Sequence, residues 1–249
     1  MILNERQTKI FELISKSPTV TVKELSSELK VSEVTIRKDL SVLENEGLLK
    51  RTHGGAVQMT SDSIEQRIIF KYEDKLKISK EAAKLVEDGE TVLIEAGSTN
   101  AVLAKELSNK NRIHIITNSL YIAEMLKNNR NVKVTLLGGE LQEESETMVG
   151  PLAKLCLSMI AVDKAFIGID GFSEKLGFTC GDFLRAEVGK EMCYRAENII
   201  VLADSTKFEN VGVTSVVDTS KVKIVITDNA ISENKLAILQ KNNIETIIV

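Results

Sequence analysis

The chain has 249 residues, of which 43% are hydrophobic and 27% charged, and its formal net charge is −4. These values are ordinary for a globular protein, and the length is enough for two domains. No run approaches about 18 apolar residues, which excludes a transmembrane helix, so we expect a cytoplasmic protein with no membrane partner.

The cysteine and histidine counts argue against metal and disulfide chemistry. Cys156, Cys180 and Cys193 have no metal-finger spacing, and three cysteines are too few for a disulfide framework. The only histidines are His53 and His114. We therefore expect reduced thiols, no metal site, no catalytic residues and no cofactor.

The distribution of charge matters more than its sum. Residues 1–58 contain nine Lys or Arg and eight Asp or Glu, whereas the rest of the chain contains 23 and 28. A nearly neutral domain binds DNA when its cations share one face. Arg37, Lys38, Lys50, Arg51 and His53 offer such a cluster.

The first sixty residues begin with two short predicted helices. Asn4 caps a helix that carries apolar residues at core spacing and ends near Pro18, which restricts the preceding residue to extended geometry. Thr21 and Glu24 have the spacing of a capping box, which opens a second helix.

A third helix follows a tight turn. Ser32 is a favourable N-cap, and the helix buries Ile36, Leu40 and Leu43 before it ends at Gly47. Two short helices joined in this way predict a helix-turn-helix over about residues 20–39. A three-helix bundle with solvated cations is the alternative, and spacing alone leaves both open.

Residues 48–57 favour the first reading. Two short apolar runs around Gly54-Gly55 predict a β-hairpin, and a hairpin after the third helix makes a winged helix. The first two turns of the third helix are then expected to reach base edges, and the hairpin to meet phosphates. The predicted DNA-binding residues are Thr21, Ser32, Thr35, Arg37, Lys38, Lys50, Arg51 and His53.

Beyond a predicted linker at 59–74, residues 75–249 alternate between helices and short apolar strands. The predicted strands are 91–94, 113–116, 132–137, 165–169, 199–202, 224–226 and 244–249, and the predicted helices 74–87, 99–107, 119–126, 151–160, 185–195 and 233–239. This alternation predicts an α/β domain whose mostly parallel sheet is covered on both faces.

Small and polar residues follow several of these strands. In open α/β sheets, ligands bind at the carboxyl ends of the strands, and Gly97-Ser98-Thr99 opens a helix whose amides suit a phosphate. Lys207 adds a positive charge, and Asp170 or Asn118 suits sugar hydroxyls. The predicted effector-binding residues are Glu95, Gly97, Ser98, Thr99, Thr117, Asn118, Gly138, Gly139, Asp170 and Lys207.

The N-terminal motifs resemble those of the DeoR family of bacterial transcriptional regulators. The resemblance is carried by Thr-Ile-Arg-Lys-Asp-Leu at 35–40 and Arg-Thr-His-Gly-Gly-Ala at 51–56. The family usually has a second arginine where this chain has Lys38. Lysine keeps the charge but lacks the planar fork that binds a base in bidentate fashion.

Residues 75–249 are similar to the DeoR effector domain, with Thr-Asn at 117–118, Leu-Gly-Gly at 137–139 and Ala-Asp-Ser-Thr-Lys at 203–207. The resemblance implies a ribose-phosphate-isomerase-like fold that binds a sugar phosphate. It also implies a repressor of carbohydrate genes that a phosphorylated sugar releases. Glu95 replaces the family's usual Asp, and Asn100 its usual Thr.

Two other functions compete with a ligand-gated repressor. A sugar-phosphate isomerase needs a carboxylate within about 3 Å of the abstracted proton, and Glu95, Asp170, Asp182 and Asp204 are candidates. An interaction module would not need the hairpin. The capped basic helix and wing favour a regulator that binds operator DNA with repeated half-sites as a homo-oligomer, either dimer or tetramer.

Overall fold

The computed structural model describes residues 4–16, 20–45, 48–52, 54–58 and 63–249. Contacts divide the chain into two compact units, Met1–Tyr72 and Glu73–Val249. Each unit has its own hydrophobic core. Within the described ranges, no helix is both long and apolar enough to cross a membrane.

The first unit combines a helical bundle with a small antiparallel sheet. Its elements are α1 (Glu5–Lys16), β1 (Val20–Thr21), α2 (Val22–Leu29), α3 (Glu33–Asn45), β2 (Leu49–Arg51), β3 (Gly55–Gln58) and α4 (Ile64–Ile69). The strand order is β1-β3-β2, so β3 is central. Strands β2 and β3 form the predicted hairpin, and the fold is a winged helix-turn-helix. The short strand β1 was not predicted.

Aliphatic residues at helical spacing hold this unit together. Ile36, Leu40 and Leu43 of α3 are fully buried, and they pack with Ile10 and Leu25 from the other two helices. Burial of one such side chain stabilises the fold by about 1.5–3 kcal/mol. The predicted helical core is therefore confirmed at these positions.

The hairpin depends on a close approach between its backbone and β1. A Cβ atom on Gly55 would lie 2.0 Å from the carbonyl oxygen of Val20, whereas a Cβ atom on Gly54 would meet nothing within 4 Å. The Val22 amide donates to the Gly54 carbonyl at 2.9 Å, which ties the start of α2 to the hairpin. Only the second glycine of the pair is therefore required by packing.

The second unit is a layered α/β structure. Its helices are α5 (Tyr72–Lys84, starting on the last residue of the first unit), α6 (Ser98–Leu107), α7 (Leu120–Leu126), α8 (Pro151–Leu157), α9 (Phe183–Tyr194) and α10 (Glu233–Lys241). Its strands are β4 (Thr91–Ile94), β5 (Ile113–Thr117), β6 (Val132–Leu136), β7 (Glu140–Gln142), β8 (Thr147–Val149), β9 (Val162–Ile167), β10 (Gly171–Ser173), β11 (Gly177–Cys180), β12 (Ala196–Leu202), β13 (Thr214–Val217), β14 (Val222–Thr227) and β15 (Glu245–Ile248). Short 3-10 turns cover Ser205–Glu209 and Thr219–Lys221.

Seven strands form one parallel sheet in the order β15-β14-β12-β9-β4-β5-β6. The central strands are apolar and buried, with Leu93, Phe166 and Val201 fully inaccessible to solvent. Strands buried on both faces read as continuous apolar runs, which explains why the sequence located them. The predicted α/β class and parallel sheet are confirmed.

Two antiparallel elements were not predicted. Strands β7 and β8 form a hairpin, and β10, β11 and β13 form a separate three-stranded sheet. Phe172 lies at the centre of an aromatic cluster, with ring centroids 5.0 Å from Phe178 and 5.7 Å from Phe208. Each of these strands is three or four residues long, too short to show a period-2 pattern.

The predicted linker at 59–74 includes α4. The Ser63 side chain caps this helix by accepting from the Gln66 amide at 3.4 Å, and Ile69 and Phe70 pack against the core of the first unit. Residues 63–72 thus belong with the first unit.

Candidate functional site

Helix α3 presents a polar face to solvent. The Ser32 hydroxyl accepts from the Thr35 amide at 3.2 Å, so Ser32 caps the helix as its sequence suggested. Arg37 and Lys38 are exposed, and Val34 beside them is 64% exposed. The opposite face is buried in the core. The first two turns of α3 therefore present polar side chains to solvent.

The hairpin is joined to α3 through Ser41. The Ser41 hydroxyl donates to the Arg37 carbonyl at 2.9 Å and accepts from Nη1 of Arg51 at 2.7 Å. The Arg51 amide donates to Oε1 of Glu44 at 2.8 Å. Arg51, predicted to meet phosphate, therefore also fixes β2 against the helix. Lys50 is exposed beside it, and His53 lies outside the described residues.

Thr21 completes a capping box at the start of α2. The Glu24 amide donates to the Thr21 hydroxyl at 3.2 Å, and Oε2 of Glu24 accepts from the Thr21 amide at 2.8 Å. These backbone and side-chain hydrogen bonds lower the pKa of the Glu24 carboxyl. Thr21 therefore orients α2, and its role towards DNA stays a prediction.

An ion pair between a partly exposed arginine of α1 and a buried aspartate of α3, which sequence reasoning missed, joins the two helices. Nε of Arg6 lies 2.6 Å from Oδ2 of Asp39, whose side chain is only 6% exposed. The side-chain Nε2 of Gln7 also donates to Oδ1 of Asp39 at 3.4 Å. The sequence shows that Asp39 interrupts the row of exposed cations at a position that faces inward, but no local pattern relates it to Arg6.

In the second unit, the predicted effector-binding residues follow β4, β5, β6, β9 and β12. These are five neighbouring strands of the parallel sheet, so their carboxyl ends share one edge. The chain runs outward from β4 through β5 and β6, and then resumes on the other side of β4 with β9. Such a reversal opens a crevice between the two strands, where open α/β sheets bind ligands.

Glu95 and Gly97 lie on one side of this crevice, against Gly168 on the other. Oε2 of Glu95 accepts from the Gly168 amide at 3.1 Å and lies 3.5 Å from Nδ2 of Asn100. A Cβ atom added to either Gly97 or Gly168 would lie 4.0 Å from the Cα atom of the other, which is an ordinary contact distance. Asn100 is fully buried, and its Oδ1 has no hydrogen-bond partner in the part of the chain that the structure describes.

Several of the predicted effector-binding residues form hydrogen bonds with neighbouring parts of the second unit. Oδ1 of Asn118 accepts from the Ala96 amide at 2.9 Å, which links the ends of β4 and β5. The Thr117 hydroxyl accepts from the Ser119 amide, and the Thr99 carbonyl accepts from the Ser79 hydroxyl. Ser98, the first residue of α6, is half-buried.

Asp170 accepts from several donors at this edge. Its Oδ2 accepts from the Gly181 amide at 2.9 Å and lies 3.4 Å from Nη2 of Arg185. Burial raises the pKa of Asp170, but the Gly181 hydrogen bond and the charges of Arg185 and Lys207 outweigh it, so the pKa is lowered. Asp170 is therefore a charged, pre-oriented acceptor beside two cations.

Cys180 and Arg185 belong to this cluster but were not predicted. The Cys180 thiol lies 3.3 Å from Oδ2 of Asp170, and burial, with the charge of Asp170, raises the pKa of that thiol to about 12. Arg185 lies on α9, whose first residues follow the Asp182 cap. Its spacing from Asp170 along the chain gives no hint of their proximity.

Gly138 and Gly139 lie farther away, because β4 and β5 separate β6 from β9. Gly139 has a φ of +157°, and a Cβ atom there would lie 2.6 Å from the Val149 carbonyl oxygen. Packing against β8 thus explains this glycine. In the described ranges, no group of three or more His, Cys, Asp or Glu residues is placed to hold a metal ion.

Comparison with known proteins identifies both units. The model of the DeoR-like helix-turn-helix domain matches residues 6–62, and that of the DeoR C terminal sensor domain matches residues 70–229. The chain is 38% identical to the HTH-type transcriptional regulator GolR of Listeria innocua over 92% of each chain. It is 34% identical to the lactose phosphotransferase system repressor of Lactococcus lactis, over 93% of each.

The HTH-type transcriptional repressor GlcR of Bacillus subtilis is 31% identical and covers 100% of this chain and 97% of its own length. Among solved structures, ribose 5-phosphate isomerase A of Methanocaldococcus jannaschii matches 54% of this chain and 53% of its own at 26% identity, with a TM-score of 0.40.

Proposed function

The chain belongs to the DeoR family of transcriptional regulators, and from this premise we propose how its two units divide the work. The first unit binds operator DNA through α3 and the β2–β3 hairpin. The second binds a phosphorylated sugar at the crevice between β4 and β9, and that sugar releases the DNA. The family consists of transcriptional regulators rather than enzymes, so the isomerase alternative falls away.

The observation that carries the DNA-binding role is the exposed face of α3. An arginine in the first turns of a recognition helix donates to O6 and N7 of guanine, while Lys38 suits a base or a phosphate. Arg37 and Lys38 are both exposed there, and Lys50 and Arg51 lie on the adjoining hairpin. Phosphate contacts from the hairpin fix the register in which α3 reads bases.

The sugar-phosphate role rests on the chemistry of the crevice. The backbone amides at the N-terminus of α6, which follow Gly97, suit a phosphate, and Lys207 adds positive charge. Asp170 and Glu95 are acceptors for sugar hydroxyls, and both are oriented by backbone amides. One relative is a lactose phosphotransferase system repressor, which supports control of carbohydrate genes.

Release requires that the sugar phosphate bind two states of the protein with different affinity, because a ligand shifts an equilibrium only by that difference. Winged helices of this kind work as symmetric oligomers on repeated half-sites. We therefore propose a homo-oligomer, dimer or tetramer, in which the effector changes how paired α3 helices meet the operator.

The test begins with duplexes selected by the full chain from a randomised library. Arg37→Ala should weaken binding of the selected duplex by about 1–3 kcal/mol, whereas Lys9→Ala, which removes one positive charge from the solvent-facing side of α1, should not. Equal binding by wild type and Arg37→Ala would remove the base-reading role.

The sensor is tested by adding a panel of pentose and hexose phosphates to the wild-type complex. The effective compound should release wild-type protein from DNA, and Lys207→Ala should bind DNA normally but fail to respond. The control Lys223→Ala removes an exposed lysine on β14 and should respond like wild type. Rapid turnover of a sugar phosphate would contradict a purely sensory role.

A further inference from the structure

Helix α3 carries an acidic residue on the exposed face that we propose contacts DNA bases. Glu33 is the first residue of the helix, and its Oε2 lies 3.2 Å from Nη2 of Arg37, one turn further on. The two side chains are 49% and 51% exposed. An ion pair this exposed stabilises a helix only slightly, so its main consequence is for what Arg37 binds.

The pair occupies only part of the Arg37 guanidinium. Arginine has five N–H donors in a fixed plane, and Glu33 engages one amino group. Among the residues that the structure describes, no other side-chain contact holds it. Each of the two forked edges of the guanidinium uses one Nη2 hydrogen, paired with either Nε or Nη1, and Glu33 takes only one of these two hydrogens. The other edge therefore remains available for the two acceptors of a guanine, while the bond to Glu33 reduces the rotational freedom of the long side chain.

The charge of Glu33 acts on the competing target. DNA phosphates are the alternative partners of an exposed arginine, and a phosphate contact positions a protein without reading sequence. A carboxylate beside the guanidinium repels a charged phosphate more strongly than it repels the uncharged acceptors of guanine. Desolvation in the groove strengthens this discrimination.

We propose, on the basis of the DNA-binding function above, that Glu33 is a specificity-determining residue on the DNA-facing side of α3. It orients Arg37 towards a base edge and disfavours the phosphate contact that Arg37 would otherwise make. Glu33 is thus a positioning residue for Arg37, and it lowers affinity for non-operator DNA rather than raising affinity for the operator alone.

The experiment compares wild type with Glu33→Gln, which keeps the size of the side chain and removes its charge. Fluorescence anisotropy would measure binding to a duplex selected by the wild-type chain and to a scrambled duplex of equal length and composition, over about 50–200 mM salt. Glu33→Gln should bind the scrambled duplex more tightly and lower the specificity ratio about tenfold. Its salt dependence on the scrambled duplex should steepen by about one unit of slope, the signature of one added phosphate contact.

Two controls separate this role from general electrostatics and from folding. Glu28→Gln removes an exposed carboxylate from α2 and should leave the ratio unchanged, and all variants should unfold at the same temperature. In an Arg37→Ala background, Glu33→Gln should no longer change the ratio.

An unchanged ratio for Glu33→Gln, or an equal change for Glu28→Gln, would overturn the proposal. An effect that persists without Arg37 would also overturn it, because Glu33 would then contact a base itself. If the wild-type chain enriched no duplex at all, the DNA-binding function would fail instead, so the two failures are distinguishable.

Discussion

The replacement of Gly55 by alanine tests how the hairpin is held against the helices. The new Cβ would lie 2.0 Å from the Val20 carbonyl oxygen, against an ordinary contact of 3.4 Å or more. Strand β3 must therefore move by about 1.4 Å relative to β1. A shift of that size breaks the β1–β3 pairing and the 2.9 Å bond from the Val22 amide to the Gly54 carbonyl.

The expected cost follows from the bonds that are lost. Each net hydrogen bond contributes about 1 kcal/mol, and the shift also disturbs the buried side chains of Val20 and Ala56. We expect the first unit to lose roughly 2–4 kcal/mol of unfolding free energy. For a unit of this size, that is a drop of about 10 °C or more in the temperature at which it unfolds.

Calorimetry and circular dichroism of the full chain suit this measurement, because the protein has no tryptophan for fluorescence. The matched control is Gly54→Ala, since a Cβ at Gly54 meets nothing within 4 Å. Amide hydrogen exchange at 20–22 and 55–58 locates the change in β1 and β3. Equal stability of the two variants would refute the reasoning from close approach.

Three further predictions concern ionisable groups. Asp39→Ala should destabilise the first unit by about 1–3 kcal/mol, because it breaks the pair with Arg6. The control Glu81→Ala, which breaks the exposed pair with Lys84, should cost under about 0.5 kcal/mol. Equal losses of unfolding free energy would contradict the role given to the burial of Asp39. Asp170→Asn should destabilise the second unit by about 2 kcal/mol near neutral pH. Since the pKa of Asp170 is lowered on folding, wild type should lose this advantage as the pH falls below about 4, and a difference between the unfolding curves that does not depend on pH would rule the explanation out. At pH 8, iodoacetamide should label the half-buried Cys156 well before Cys180, because burial raises the pKa of the Cys180 thiol to about 12. Mass spectrometry of timed digests measures both labelling rates. Equal rates for the two cysteines would show that the Cys180 thiol is accessible and more acidic than this.

Local sequence signals located most of the regular structure. The α3 stripe of Ile36, Leu40 and Leu43 and the Ser32 cap depend only on residues within a few positions of one another. The central strands were visible because each is a short apolar run. The strand after α8 begins at Val162 rather than at the predicted Ala165. The start was missed because the charged residues Asp163 and Lys164 interrupt the apolar run, although Val162 and Lys164 both pair with β12.

Contacts between distant residues were beyond local reasoning. Asp170 meets Arg185 across fifteen positions, and Glu95 meets Gly168 across seventy-three. Both contacts depend on strand order, which a single sequence does not encode in any local pattern. The same holds for Arg6 and Asp39, which the helical periodicity assigns to two separate faces without relating them.

The strand order of the large sheet has a consequence for synthesis on the ribosome. Strand β4 is the first of the sheet to emerge, yet its neighbour β9 follows about seventy residues later. Until then β4 has one unpaired edge, which is a condition that favours aggregation. The first unit, whose elements contact near neighbours in the chain, is complete long before. During synthesis, all elements of the DNA-binding unit therefore emerge before the sheet of the sensor unit has its full set of strands.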